Sequence, residues 1–255
     1  MRIYLRPESL LRAMAAMIGM LLLMHLTMVV ARFGFNSPDF LKLQAFFDLN
    51  REQNVPTLYS TLQLALAAGL LLLLAIAAYP RDRWQSYRWA GLGATFAFLM
   101  SDEFCEWHEH LIGPLRRILH PGGALSFAWV IPYSIAVCVF AAGFFRFCWR
   151  LAPPVRWRVA VAGVLYVGGG IGMEMVGSKL FTVYGWESLQ FNVETMFEEG
   201  MEMFGVAFFI YSLALELQAQ CGTVLLSLVE ESPDPLITDV LASDTPNHSS
   251  ARQVA

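Results

Sequence analysis

Six apolar stretches alternate with short polar segments along the chain. The first, second and fourth are long enough by themselves to cross a bilayer, which takes about 20 helical residues. The third, fifth and sixth are shorter, and each adjoins a run of acidic residues. These three reach membrane length only if their acidic turns lie partly within the membrane. The pattern predicts an all-α, polytopic integral membrane protein with six transmembrane helices in one bundle, at 13–32, 57–79, 88–112, 123–146, 157–177 and 194–217.

The distribution of basic residues predicts the orientation of this bundle. With the N-terminus inside, eleven of the 17 lysines and arginines lie on the inner side, as the positive-inside rule requires. We therefore expect an N-in/C-in protein of the plasma (inner) membrane. Residues 1–12 are then a cytoplasmic N-terminus, 13–220 the transmembrane domain and 221–255 a cytoplasmic, disordered tail. In this orientation the acidic ends of the third, fifth and sixth spans all fall in the outer half of the membrane.

Composition narrows the function classes. Charged residues make up 15% of the chain and hydrophobic residues 56%, whereas soluble domains carry roughly 25% charged residues. A soluble globular enzyme is therefore excluded, and membrane lipids are the expected partners. The net charge of −4 leaves no basic excess for phosphate backbones, so nucleic-acid binding is excluded as well.

The third span carries the densest group of polar side chains. If its helix continues without interruption through the acidic run, five of these side chains share about 120° of one face, while His108 points away from it. The five are Asp102, Glu103, Glu106, Glu109 and His110.

The fifth and sixth spans contribute further carboxylates at the same depth. Glu174 follows the apolar part of the fifth span directly. On the sixth span, Glu194, Glu198 and Glu202 share one face, with Glu199 at its margin. Gly205 lies on that face too, which predicts close approach of a neighbouring helix. The glycine-rich run at 168–172 is likewise typical of close helix packing.

These residues amount to nine carboxylates and two histidines, against five arginines and lysines nearby, Arg32, Arg51, Arg116, Arg117 and Lys179. An unpaired ionised carboxylate at membrane depth costs about 2.5–3.5 kcal/mol. Protonation, pairing with basic groups, or a bound cation can each offset this cost, and the sequence leaves the three open.

A divalent metal ion is the cofactor that the cluster favours. The predicted ligands are Asp102, Glu103, Glu106, Glu109, His110, Glu174, Glu198 and Glu202, with Glu199 as a free catalytic base. Ligation by histidine indicates Fe, Mn or Zn, and ligation by carboxylates alone indicates Mg or Ca.

Three functions fit this pattern. The first is a metal-dependent membrane enzyme that acts on a lipid or small amphiphile, with the metal polarising the substrate or activating water. The second is a cation- or proton-coupled transporter or channel, which requires a polar path from Glu202 to Glu216 at the inner end of the sixth span. The third is a non-catalytic subunit or sensor, which tolerates an exposed, splayed cluster. Within the first span, His25 is either a functional group or a satisfied interior histidine.

Overall fold

The computed structural model describes residues 2–4, 6–35, 46–221 and 225–227. Gly168–Met173 forms a π-helical segment, and Gly123–Leu125 forms a short 3-10 turn. Strands β1 (Arg2–Tyr4) and β2 (Leu225–Ser227) pair antiparallel. The helices run in the order α1 (Pro7–Phe35), α2 (Val55–Ala78), α3 (Arg83–Cys105), α4 (Trp107–Leu119), α5 (Val130–Arg150), α6 (Pro153–Val167), α7 (Glu174–Tyr184) and α8 (Leu189–Cys221).

Five helical stretches are long and apolar enough to cross a membrane: α1, α2, α5, the continuous run Pro153–Tyr184 and α8. The prediction of an all-helical, multi-pass membrane protein is thereby confirmed. α3 is not among these five, because polar residues flank its apolar centre at both ends, Gln85–Arg88 at one and Asp102–Glu103 at the other.

α8 is the helix around which the bundle packs. It contacts α1, α2, α6, the π-helical segment and α7. Its buried side chains, such as Met203, Ile210 and Leu213, join the main apolar core, which also includes Leu71 and Leu74 of α2. This arrangement places the acidic N-terminal half of α8 inside the bundle.

The structure corrects the third span, which the sequence predicts as one helix over 88–112. α3 ends at Cys105, Glu106 adopts left-handed backbone angles (φ 55°, ψ 37°), and α4 begins at Trp107. The carboxylate of Asp102 accepts a hydrogen bond of 3.0 Å from the backbone N–H of His108. That bond satisfies one of the donors that a helix start leaves free, so the side chain of Asp102 stabilises the break.

Glycines permit the close packing of α6 and the π-helical segment on α8. A Cβ added at Gly169 would lie 2.8 Å from the backbone oxygen of Glu198, and one at Gly205 would lie 2.7 Å from the backbone nitrogen of Tyr166. The close approach predicted at Gly205 and in the glycine-rich run is therefore confirmed.

Other predicted boundaries shift by a few residues. α5, which corresponds to the fourth predicted span, begins at Val130 rather than at 123. α8, which corresponds to the sixth, begins at Leu189 rather than at 194. The predicted disorder of the tail concerns residues that, beyond Cys221 and β2, lie outside the described part of the chain.

Candidate functional site

A cavity of about 170 Å³ lies where the acidic ends of the helices converge. Its walls come from the segment before α2 and from α3 through α8. His108 provides an imidazole, and no lysine or arginine is among the described residues that line it. Eight carboxylates line the cavity: Glu52, Asp102, Glu103, Glu109, Glu174, Glu198, Glu199 and Glu202.

The structure brings together most of the residues that the sequence singles out. Two predicted ligands lie elsewhere: Glu106 accepts a hydrogen bond of 2.8 Å from the side chain of Gln53, and His110 is exposed with its Nδ1 2.6 Å from the backbone oxygen of Glu106. The break at Glu106 changes the direction of every later side chain, so His108 enters the cavity instead of His110. The predicted residues that do line the cavity are Asp102, Glu103, Glu109, Glu174, Glu198, Glu199 and Glu202.

Asp102 orients the histidine. Its Oδ2 lies 3.2 Å from Nδ1 of His108, and its Oδ1 accepts a hydrogen bond of 2.9 Å from the hydroxyl of Tyr133. A carboxylate that holds one imidazole nitrogen leaves the other free to ligate a metal, an arrangement common in metal sites. Burial lowers the pKa of His108, but the hydrogen bond and charge of Asp102 outweigh burial and bring the pKa above its usual value.

Glu52 is a cavity residue that the sequence analysis missed. One ligand atom each of Glu52, His108 and Glu109 lie within 4.8 Å of one another, which is close enough for the three to share one ion. Burial, followed by the charge of Glu109, raises the pKa of Glu52 to about 7, although His108 and a hydrogen bond from Thr57 oppose the shift. The available signal was its position immediately before the second span, at the same membrane depth as the other acids.

A buried network around His25 holds the segment that carries Glu52. His25 accepts the backbone N–H of Leu49 at Nδ1 and donates to the backbone oxygen of Asn192 from Nε2, both at 3.1 Å. Asn50 donates to the side-chain oxygen of Asn192 (3.0 Å) and accepts from Thr195 (2.6 Å). Both ring nitrogens of His25 are thus satisfied, and its role is structural: it joins α1, the segment before α2 and α8.

Another part of the cavity wall is built from carboxylates of α7 and α8. Glu198 lies within hydrogen-bonding reach of Glu174, which also accepts a bond of 2.9 Å from the indole N–H of Trp129. A Cβ at Gly170 would lie 2.8 Å from Oε1 of Glu202, so the π-helical glycines give that side chain its room. Carboxylates this close, without a basic partner among the described residues of the cavity wall, can all be ionised only if a cation binds among them. Without a cation, some of them carry protons.

Glu194 lies outside this group, although the sequence places it on the same face. It is 5% exposed and is not among the described residues that line the cavity. Its side chain packs instead against Gly177 of α7.

A repeated sequence pattern marks the two helices that contribute most acids, and the sequence analysis did not use it. Asp102-Glu103-x-x-Glu106 ends α3, and Glu198-Glu199-x-x-Glu202 lies in the first half of α8. In both runs the adjacent acidic pair lines the cavity. The adjacent acidic pair was therefore the usable signal, since the third acid of the pattern lines the cavity at Glu202 but not at Glu106.

Fold and site together define a multi-pass helical membrane protein with a carboxylate/histidine group inside its bundle. Over residues 13–215 the chain matches the family described as Domain of unknown function (DUF8692), and it belongs to that family. The matched region includes every cavity residue. No curated protein and no solved structure matches the chain.

Proposed function

We propose that the cavity binds divalent metal, with Glu52, His108 and Glu109 as ligands at its rim. The observation that supports this is the convergence of eight carboxylates and one imidazole on one cavity, with no lysine or arginine among its described lining residues. A metal ion offsets the repulsion among these carboxylates without requiring all of them to bind protons. The available Nε2 of His108 favours Fe, Mn or Zn over Mg or Ca.

Other acids of the cavity form a second position for a cation in this proposal. Glu103 of α3 and Glu199 and Glu202 of α8 all line the cavity. Helix bundles that bind two metal ions use carboxylates from several helices with a few histidines. The cavity has such a set of residues, with carboxylates from several helices, although His108 is the one histidine among its described lining residues.

We further propose that the bound metal serves an enzyme that acts on a lipid or small amphiphile. The metal would polarise the substrate or activate water, and Glu199 would serve as base if it remains free of metal.

The transporter alternative needs a polar path from Glu202 to Glu216. Along α8 that interval is packed with buried apolar side chains, including Met203, Val206 and Ile210, and these favour the enzyme. The sensor alternative fits less well because the acids line an interior cavity.

The membrane arrangement that goes with this function has six spans, N-in/C-in, in the plasma membrane. α3 is the additional crossing, since its 23 residues correspond to about 35 Å of helix and it packs along α2. The cavity then opens towards the outer surface.

The test is the metal content of the protein in nanodiscs, measured by mass spectrometry after mild purification. We expect a stoichiometric Fe, Mn or Zn in the wild type and its loss in Glu52→Gln and in His108→Ala. His110→Ala is the matched control, because His110 is two residues away but exposed, and it should keep the metal. A wild type without metal, or equal loss in the two histidine variants, would reject the proposed site; proton flux would then be measured to test the transporter.

A further inference from the structure

A second cavity, of about 430 Å³, lies between α3, α5, α6 and α8. No charged residue is among its lining, and aromatic rings such as Phe96, Phe140, Phe144 and Phe209 form much of its wall. A cavity of this size falls within the range of small-molecule sites. Water is a poor occupant, because a buried water needs two to four polar partners.

The apolar cavity adjoins the carboxylate cavity. Five residues line both: Leu99, Tyr133, Val137, Tyr166 and Val167. The hydroxyl of Tyr133 donates to Asp102 on the polar side, while its ring borders the apolar side. A molecule that occupied both cavities would have its polar end among the carboxylates and an apolar body beyond the two tyrosines.

The position of α5 gives this cavity access to the hydrocarbon of the bilayer. The backbone of α3 packs closely along α2, whereas α5 has sparse backbone contacts with α6 and the π-helical segment. α3 and α5 meet through side chains such as Trp89 and Phe147 and otherwise face each other across the cavity. The other side of α5 is apolar and open to the surroundings, with Ile135 62%, Val139 67% and Phe145 61% exposed. In a membrane protein such a face contacts lipid chains, so the cavity lies behind a helix that borders the bilayer.

We propose that the apolar cavity binds one hydrocarbon chain of a lipid, whose polar head group lies in the carboxylate cavity. The placement of the head group at a metal rests on the proposed function, whereas the binding of the chain depends on the apolar cavity alone. The substrate class is therefore an amphiphile with a single chain inserted between α3 and α5.

The experiment uses monopalmitoylglycerol, whose head group is uncharged, with a diazirine at the chain end. It is photolysed with the full-length protein in nanodiscs, and peptide mass spectrometry locates the adducts. We expect saturable labelling of Phe140 and Phe144, which unlabelled monopalmitoylglycerol displaces. Gly163 lines the cavity and a Cβ there meets nothing within 4 Å, so Gly163→Leu fills space without a clash at the helix backbone. It should reduce the saturable labelling by about tenfold, a loss of ~1.4 kcal/mol of binding free energy.

Gly143→Leu is the matched control, because Gly143 is exposed on α5, does not line the cavity and also has free space at its Cβ. It should label as the wild type does. If Gly163→Leu does not fold, Ala136→Phe, at another lining position, replaces it. Labelling restricted to outward residues such as Val139, and equal in all variants, overturns the proposal.

The same samples separate this inference from the proposed function. Labelling is repeated after metal is removed with a chelator, and metal content is measured in parallel. Saturable labelling in a protein that never contains metal would reject the metal site and retain the chain site. Metal without saturable labelling would reject the chain site alone.

Discussion

Nδ1 of His108 lies 3.2 Å from Oδ2 of Asp102, across the left-handed turn that separates α3 from α4. The same carboxylate accepts the backbone N–H of His108 and the hydroxyl of Tyr133. One side chain therefore fixes both the helix break and the orientation of the only imidazole among the described cavity residues.

This relationship predicts that Asp102→Asn weakens metal binding without removing a ligand from the rim. We expect the Mn²⁺ affinity to fall by about 10- to 100-fold, the usual loss when the partner of a ligating histidine is changed. The measurement is a competition titration in nanodiscs. Glu187→Gln removes the same charge from an exposed ion pair with Arg32 and should leave the affinity unchanged; an equal loss in both variants would show a net-charge effect.

Metal binding should depend on pH through Glu52. Its pKa is raised to about 7, first by burial and then by the charge of Glu109. Because the metal must displace the proton, Mn²⁺ affinity should rise as pH increases through about 7. Glu52→Gln should bind weakly at every pH. An unchanged slope in that variant contradicts the assignment.

The folding stability of the metal-free protein should depend on pH in the opposite direction, falling as pH rises. A carboxyl whose pKa is higher in the folded than in the unfolded state stabilises the fold fully below its ordinary pKa, and this contribution is lost as pH rises through the folded value. For Glu52 the loss occurs between about 4.5 and about 7. The melting temperature should therefore fall over this interval by more in the metal-free wild type than in Glu52→Gln.

His25 is predicted to act on the site through the segment that carries Glu52. His25→Leu leaves the buried N–H of Leu49 without its imidazole acceptor, at a cost of about 1–3 kcal/mol, and removes the additional bond to the helical carbonyl of Asn192. We expect a lower melting temperature together with weaker Mn²⁺ binding. Thr27→Val, on the same helix at an exposed hydroxyl that donates to the backbone oxygen of Leu23 one turn earlier, should change stability by less than about 0.5 kcal/mol.

The π-helical segment offers a matched pair of glycine substitutions. A Cβ at Gly169 would lie 2.8 Å from the backbone oxygen of Glu198 and 2.8 Å from Cγ of Glu202, whereas one at Gly172 meets nothing within 4 Å. Gly169→Ala should therefore destabilise the protein by about 1–3 kcal/mol, as overpacking does, and reduce metal content. Gly172→Ala should do neither. Similar melting temperatures for the two variants would contradict the packing of α8 on this segment.

The six-span topology is tested by labelling single cysteines in a background without the native four. Glu187→Cys should react with a membrane-impermeant maleimide in intact cells, and Arg83→Cys only after lysis, because α3, α5 and the run Pro153–Tyr184 place three crossings between the two positions. Without α3 there would be two crossings, and both positions would lie on the same side. Both residues are exposed. Reaction of both in intact cells would contradict α3 as a span.

The sequence predicted the fold well because its signal is the length of apolar stretches, a property local to each helix. It also predicted that acids on α3, α7 and α8 lie together, because each ends or begins an apolar stretch at the same depth. The choice between His108 and His110 depended on an assumption that the helix continues through Glu106. The left-handed turn there results from side-chain contacts of Asp102, and helical periodicity contains no information about them.

Glu52 was not among the predicted site residues, for a different reason. Its position depends on contacts between residues far apart in the chain, such as those of His25 with Leu49 and of Asn50 with Asn192. No local pattern encodes that pairing. The contribution of this non-helical segment to the site is therefore visible only in the folded chain.

α4 contributes His108 and Glu109 to the cavity yet buries none of its own residues, and it exposes Trp107, Ile118 and Leu119 beside Arg116 and Arg117. A helix with this division of side chains rests in the boundary between lipid head groups and hydrocarbon. In the proposed site, two of the three rim ligands, His108 and Glu109, would then be held in place by the bilayer as well as by protein contacts. Lipid composition would thereby affect the proposed metal affinity, and a micelle would be a different chemical environment for this site than a membrane is.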